Sequence, residues 1–110
     1  MELDLQILER QAEICKALGH PKRLQIIYLL QRGEMAAGDL AAALNTTPAN
    51  VSQHLNAMKQ AGLIDSRREA SNVIYWLTTP AIIDACSMVK TVLADQMRRE
   101  QELIGRTVGK

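Results

Sequence analysis

The stretch from Gly38 to Asp65, GDLAAALNTTPANVSQHLNAMKQAGLID, constrains the fold more than any other part of the chain. Ala37 to Leu44 has helical spacing, with Leu40 and Leu44 on one face. Asn45-Thr46-Thr47-Pro48 then interrupts it. Thr47 suits an N-cap and Pro48 the first position of the next helix. That second helix runs to about Ala61, with Gly62 at its C-terminal end. At roughly 100° per residue, Val51, Leu55 and Met58 form its inward stripe. Ala49, Gln53, Asn56 and Gln60 point the opposite way, with Asn50 and Ser52 on the flanks. A face of small and amide side chains allows close approach to a groove and can pair with base edges. Two short helices joined this way are the pattern of a helix-turn-helix whose second helix lies in a DNA major groove.

The flanking segments support this reading. Leu3, Ile7, Ile14 and Leu18 predict a first helix ending at Gly19. Pro21 to Gln31 predicts a second, with Leu24, Ile27, Tyr28 and Leu30 inward and Gly33 closing it. After Gly62 the period changes to that of strands. Leu63–Glu69 and Val73–Leu77 form a hairpin around the turn Ala70-Ser71-Asn72, placed as a wing directly behind the reading helix. From Pro80 the helical period returns with Ile82, Cys86, Val89, Leu93 and Met97. The charged run from Arg98 to Glu102 and the tail from Gly105 to Lys110 are expected to fray. The predicted class is mainly α with a small β-hairpin, four helices followed by the wing and a fifth helix.

Candidate DNA contacts follow from position. Asn50 and Gln53 suit base edges, whereas Thr47, Ser52 and His54 suit phosphate oxygens beside the helix N-terminus. Arg67 and Arg68 on the first wing strand suit phosphate or minor-groove contact. Adjacent strand residues face opposite sides, so only one of the two arginines can face DNA squarely. Lys22, Arg23 and Lys59 are further phosphate candidates. His20, beside Pro21, reads as a helix-start residue rather than a ligand.

Bulk properties limit the alternatives. The 110 residues are expected to form one domain, and the net charge is only +1. DNA binding therefore requires the positive charge to be gathered on one face. No apolar run is long enough to span a membrane. The acidic start Met-Glu-Leu-Asp lacks the features of a signal peptide, and two distant cysteines do not form a secreted disulfide framework, so a cytoplasmic location is expected. There is no nucleophile with a base beside it, no phosphate-binding glycine loop and no clear acid/base carboxylate pair, which argues against an enzyme. No cofactor is implied.

The chain resembles the ArsR-type (arsenical-resistance repressor, ArsR/SmtB) winged helix-turn-helix transcriptional regulators. The resemblance covers about Ala12 to Leu77. It rests on Ala17-Leu-Gly-His-Pro-Lys-Arg-Leu, Gly38-Asp-Leu-Ala, Val51-Ser-Gln-His-Leu-Asn-Ala-Met, Ala61-Gly-Leu-Ile, and the Arg-Arg-Glu wing ending in Ile-Tyr. Glu34-Met-Ala-Ala-Gly and Ser52-Gln-His-Leu are most similar to the nodulation-repressor and haemolysin-activator branch. The resemblance implies a homodimer on a palindromic, double-stranded operator, released by an inducer. Two family metal sites do not carry over. Ala36-Ala37-Gly38 stand where metal sensors have Cys-Val-Cys, and the last helix offers Asp84 and Asp95 but no histidine.

Cys15 and Cys86 are the distinctive chemistry of the terminal helices. In this family those helices pack on each other and on the partner subunit. A thiol pair there would suit an oxidant, a polysulfide or As(III) as the inducing species. The alternative is that both are small core hydrophobes. The chain would then be a DNA-binding regulator without a ligand, or an architectural protein.

Overall fold

The computed structural model describes residues 4–108. The element order is α1 (Leu5–Leu18), α2 (Pro21–Gln31), β1 (Met35–Ala36), α3 (Ala37–Ala43), α4 (Pro48–Gln60), β2 (Ile64–Glu69), β3 (Asn72–Leu77) and α5 (Ala81–Val108). The chain divides into two compact units, Met1–Pro80 and Ala81–Lys110.

Within the first unit the helix ends are set by local chemistry. Asp4 caps α1 by accepting from the Gln6 N–H at 2.8 Å. His20 caps α2, its Nδ1 accepting from the Lys22 N–H at 3.1 Å. The turn between α3 and α4 closes as a Schellman motif. Asn45 adopts φ 52°, its N–H donates to the Ala42 carbonyl, and the Thr46 N–H donates to that of Ala41. Asparagine tolerates this left-handed conformation better than most residues. α4 ends in the same way, with Gly62 at φ 81° and the Leu63 N–H donating to the Met58 carbonyl at 3.0 Å.

Ile26, Ile27, Leu40, Leu55, Met58 and Ile64 are the centre of the core, each 0–1% exposed. Burying side chains of this size stabilises the fold by about 1.5–3 kcal/mol each before entropy is subtracted. The inward face of α2 differs from the expected one: Ile26 is fully buried and Leu24 is exposed. Apolar residues surround this helix, and Leu24 lies two positions before Ile26, about 200° away around the axis. On α1 the expected stripe is only partly covered. Ile7 is exposed, whereas Ile14 and Leu18 are half-buried. Leu3 lies outside the described residues.

The hairpin is part of a three-stranded antiparallel sheet in the order β1-β3-β2. β1 pairs Met35 with Tyr75 and Ala36 with Ile74. A two-residue strand has no period to detect, so it escaped the sequence pattern. β2 and β3 pair from Ile64↔Leu77 to Glu69↔Asn72. The loop is thus Ala70-Ser71, one residue shorter than expected.

The second unit is the single helix α5. It does not fray at the charged run but continues unbroken through Arg98 to Glu102 and on to Val108. Arg98 and Arg99, three and four residues after Asp95, both pair with its carboxylate. Such spacings, with Gln, Glu, Met and Leu as good helix formers, sustain the segment. Gly109 and Lys110 lie outside the described residues. Of the expected stripe, Cys86 is buried, while Val89, Leu93 and Met97 are more than half exposed within one chain.

Candidate nucleic-acid interface

The reading helix α4 is held by its inner face and leaves its outer face open. Val51, Leu55 and Met58 are buried, and Ala49, Ser52, Gln53, Asn56 and Gln60 are exposed. Thr47 is its N-cap, the hydroxyl oxygen accepting from the Asn50 N–H at 3.1 Å. Its O–H remains able to donate outward. Asn50 is half-buried, and its Nδ2 donates to the Thr46 hydroxyl at 2.6 Å. Part of its amide therefore holds the turn.

His54 is not on the outer face. It is only 7% exposed, and its Nδ1 accepts from the Arg23 Nε at 3.1 Å. The sequence did contain the signal: 51, 54, 55 and 58 are the i, i+3, i+4, i+7 positions of one helix face. Arg23 also donates from Nη1 to the Ala17 carbonyl at 3.3 Å. One guanidinium so joins α1, α2 and α4, and Arg23 serves the interior rather than standing free for phosphate. The His20 and His54 rings lie 4.4 Å apart between centroids. Burial, followed by the charges of His20, Arg23 and Lys22, pushes His54 below its ordinary pKa. A neutral ring with Nδ1 accepting carries its proton on Nε2.

The wing separates its two arginines. The register puts Ile64, Ser66 and Arg68 on one face of β2, and Asp65, Arg67 and Glu69 on the other. The first of these faces is the packed one, with Ile64 only 1% exposed and Ser66 half-buried while Asp65, Arg67 and Glu69 are exposed. Lys59 of α4 donates to the Ser66 hydroxyl at 2.8 Å, and its ammonium also lies 3.8 Å from Asp65. Arg68 therefore lies on the reading helix's side of the sheet, is exposed, and has no hydrogen bond or ion pair among the described residues. Arg67 faces the other way and forms a fork-to-fork pair with Glu34, both N–H···O contacts at 2.9 Å. It also pairs with Glu69 at 3.0 Å. The hydrogen bond to Glu34 is the main cause that raises Arg67's pKa, and the bond from Arg67 lowers Glu34's. Sequence reading did not single out Glu34 in this role. Glu34 and Arg67 lie 33 positions apart, and only the folded sheet brings them together.

The cysteines sit in different settings. Cys15 is exposed on α1 and Cys86 is buried on α5. Burial pushes the Cys86 thiol up, opposed by the charge of Lys90. Among the described residues there is no group of three or more His, Cys, Asp or Glu able to hold a metal ion. No helix is long and apolar enough to cross a membrane.

A capped helix of small and amide side chains, reached through a tight turn and flanked by a wing, defines the class: a winged helix-turn-helix domain. The family described as "Bacterial regulatory protein, arsR family" matches residues 20–66. The transcriptional repressor SdpR of Bacillus subtilis is 38% identical over 72 residues, covering 66% of this chain and 80% of that protein. The biofilm growth-associated repressor of Agrobacterium fabrum is 36% identical over 80 residues, covering 69% and 68%. Among solved structures, a solution structure of the homodimeric winged helix-turn-helix DNA-binding domain of Mb0332 from Mycobacterium bovis superposes with a TM-score of 0.76. It is 29% identical and covers 89% of this chain and 93% of that one. The chain belongs to the arsR family of bacterial regulatory proteins and is a DNA-binding transcriptional regulator.

Proposed function

We propose that the chain is a homodimeric transcriptional repressor that binds a palindromic operator through α4 and the wing and leaves it when an inducer binds. The observation that carries this reading is the shared orientation of two exposed elements. The outer face of α4 offers Thr47, Ser52 and Gln53, and the wing offers Arg68 on the side of the sheet that meets α4. Gln53 suits a base edge in the major groove, with Asn50 behind it through its free carbonyl oxygen. Thr47, Ser52 and Arg68 suit phosphates. Two relatives that are named repressors support the direction of regulation.

Dimerisation is supported by the uncovered apolar side chains of α5, among them Met88, Val89, Val92, Leu93 and Met97. A contiguous apolar face of this kind marks an interaction surface. On this reading both units act as one DNA-binding domain, with the terminal helices forming the subunit interface. The inducer reading extends to a thiol-reactive species acting at Cys15 and Cys86. The burial of Cys86 favours the second reading, in which that thiol is core packing and DNA binding needs no ligand. Affinity for DNA before and after treatment with oxidant or As(III), with Cys15→Ser and Cys86→Ser alongside, separates the two. An unchanged affinity under every treatment rejects the sensor.

The test of the DNA interface starts with an operator selected from a random duplex library. Fluorescence anisotropy then compares that operator with unrelated DNA. Gln53→Ala is expected to weaken the operator complex by about 1–3 kcal/mol while sparing unrelated DNA. Arg68→Ala is expected to weaken both and to reduce the salt slope by about 1. Equal loss on both DNAs for Gln53→Ala would refute the role of α4 as reader.

A further inference from the structure

The tip of the wing overhangs its support. β1 pairs with β3 only at Tyr75 and Ile74, so the β2–β3 ladder beyond Arg67↔Ile74 has no third strand beside it. Two strands alone are marginally stable in water, yet Arg68 sits in this overhang.

One side chain bridges the sheet just before the overhang begins. Arg67 leaves β2 on the face shared with Trp76 of β3. Its guanidinium lies 5.6 Å from the Trp76 ring centroid. It reaches Glu34, the residue before β1, through both of that residue's carboxylate oxygens. It also bonds Glu69 at the end of β2 through Nε and Nη2. Four of its five N–H donors are thus engaged, two by Glu34 next to β1 and two by Glu69 of β2, while the guanidinium itself lies over Trp76 of β3. Isolated exposed ion pairs contribute little, but a bidentate pair within a network is the recognised exception.

We propose that Arg67 is a positioning residue: the Glu34–Arg67–Glu69 strap over Trp76 fixes the wing tip so that Arg68 meets the DNA backbone, and Arg67 itself is not a DNA ligand. The inference rests on the reading that the wing touches DNA. It also assigns Glu34, an acid, a role in favour of binding a polyanion.

That sign makes the proposal testable. Removing an acidic charge by Glu34→Gln strengthens DNA binding if only net charge matters, or if Glu34 withholds Arg67 from a phosphate. The strap predicts the opposite: affinity weaker by about two- to fivefold, the scale of a networked surface pair. The salt slope should stay unchanged, and amide hydrogen exchange across 66–74 should become faster. The charge swap Glu34→Arg/Arg67→Glu, made together with Glu69→Gln so that no like charge faces the carboxylate at position 67, should recover part of the affinity and protection lost in Arg67→Ala, although position 67 then carries a negative charge. Tighter binding by Glu34→Gln, or a swap that stays as weak as Arg67→Ala, overturns the proposal. Arg68→Ala serves as the control. If it binds like the wild type, the wing reading has failed. If it weakens binding while Glu34→Gln does not, only the strap has failed.

Discussion

Replacing Thr47 by aspartate keeps the cap of α4 and places a negative charge where a DNA phosphate is expected. In the structure the Thr47 hydroxyl oxygen accepts the Asn50 N–H at 3.1 Å, and a carboxylate can accept the same bond. Thr47→Ala loses it, at about 1 kcal/mol for a helix N-cap. For a domain of this size that lowers the melting temperature by about 4–8 °C. Thr47→Asp should lose nothing, because an anion at a helix N-terminus is favoured by about 0.3–1 kcal/mol. Its effect on DNA has the opposite sign. A unit charge about 4 Å from a phosphate is repelled by about 1 kcal/mol in water and about 4 kcal/mol near a protein surface. Operator affinity should therefore fall at least about fivefold at low salt, less as salt rises. Circular dichroism melts at matched protein concentration and anisotropy titrations at two salt concentrations measure both quantities. Thr47→Ser should resemble the wild type in each. If Thr47→Asp binds DNA like the wild type, no phosphate approaches this end of α4. If it melts as low as Thr47→Ala, the cap does not act through its acceptor oxygen.

Two further outcomes are expected. His54 has its folded-state pKa held below the ordinary 6.5, so the unfolded chain binds the extra proton first. Stability should fall as pH drops from 6.5 to the depressed value and then level off; denaturant titrations between pH 7.5 and 5 should show this slope flattened in His54→Gln. Leu55, fully buried on the inner face of α4, should lose about 2–5 kcal/mol on Leu55→Ala, and urea unfolding that shows less than 1 kcal/mol would mean that α4 is not seated as described.

The parts that could be read in the sequence were those settled within a few residues. Thr47-Pro48 and Gly62 bound α4 through neighbouring backbone groups, and the turn at Asn45 closes with bonds from residues three and five apart. The stripe of Val51, Leu55 and Met58 was equally plain, because polar residues separate its members. Where apolar residues crowd every side, as in α2, the pattern selects no face, and Ile26 rather than Leu24 turned inward. Long-range partners were beyond reach. Nothing near Arg67 announces Glu34, and nothing near His54 announces Arg23. Side-chain type misled in the same way: histidine and arginine beside a reading helix suggest phosphate, yet here a half-buried Arg23 bonds a buried His54. α5 continued past Arg98 because charges that look like a solvated tail can also pair along a helix.

Anchoring and reading fall to different positions of α4. Val51, His54, Leu55 and Met58 are buried and seat the helix, while Ala49, Ser52, Gln53 and Asn56 are exposed. The outward set can therefore drift or be rewritten without unseating the helix. A new operator preference is then a matter of exchanging a handful of exposed side chains. The same scaffold can diversify its targets while its core sequence stays almost fixed.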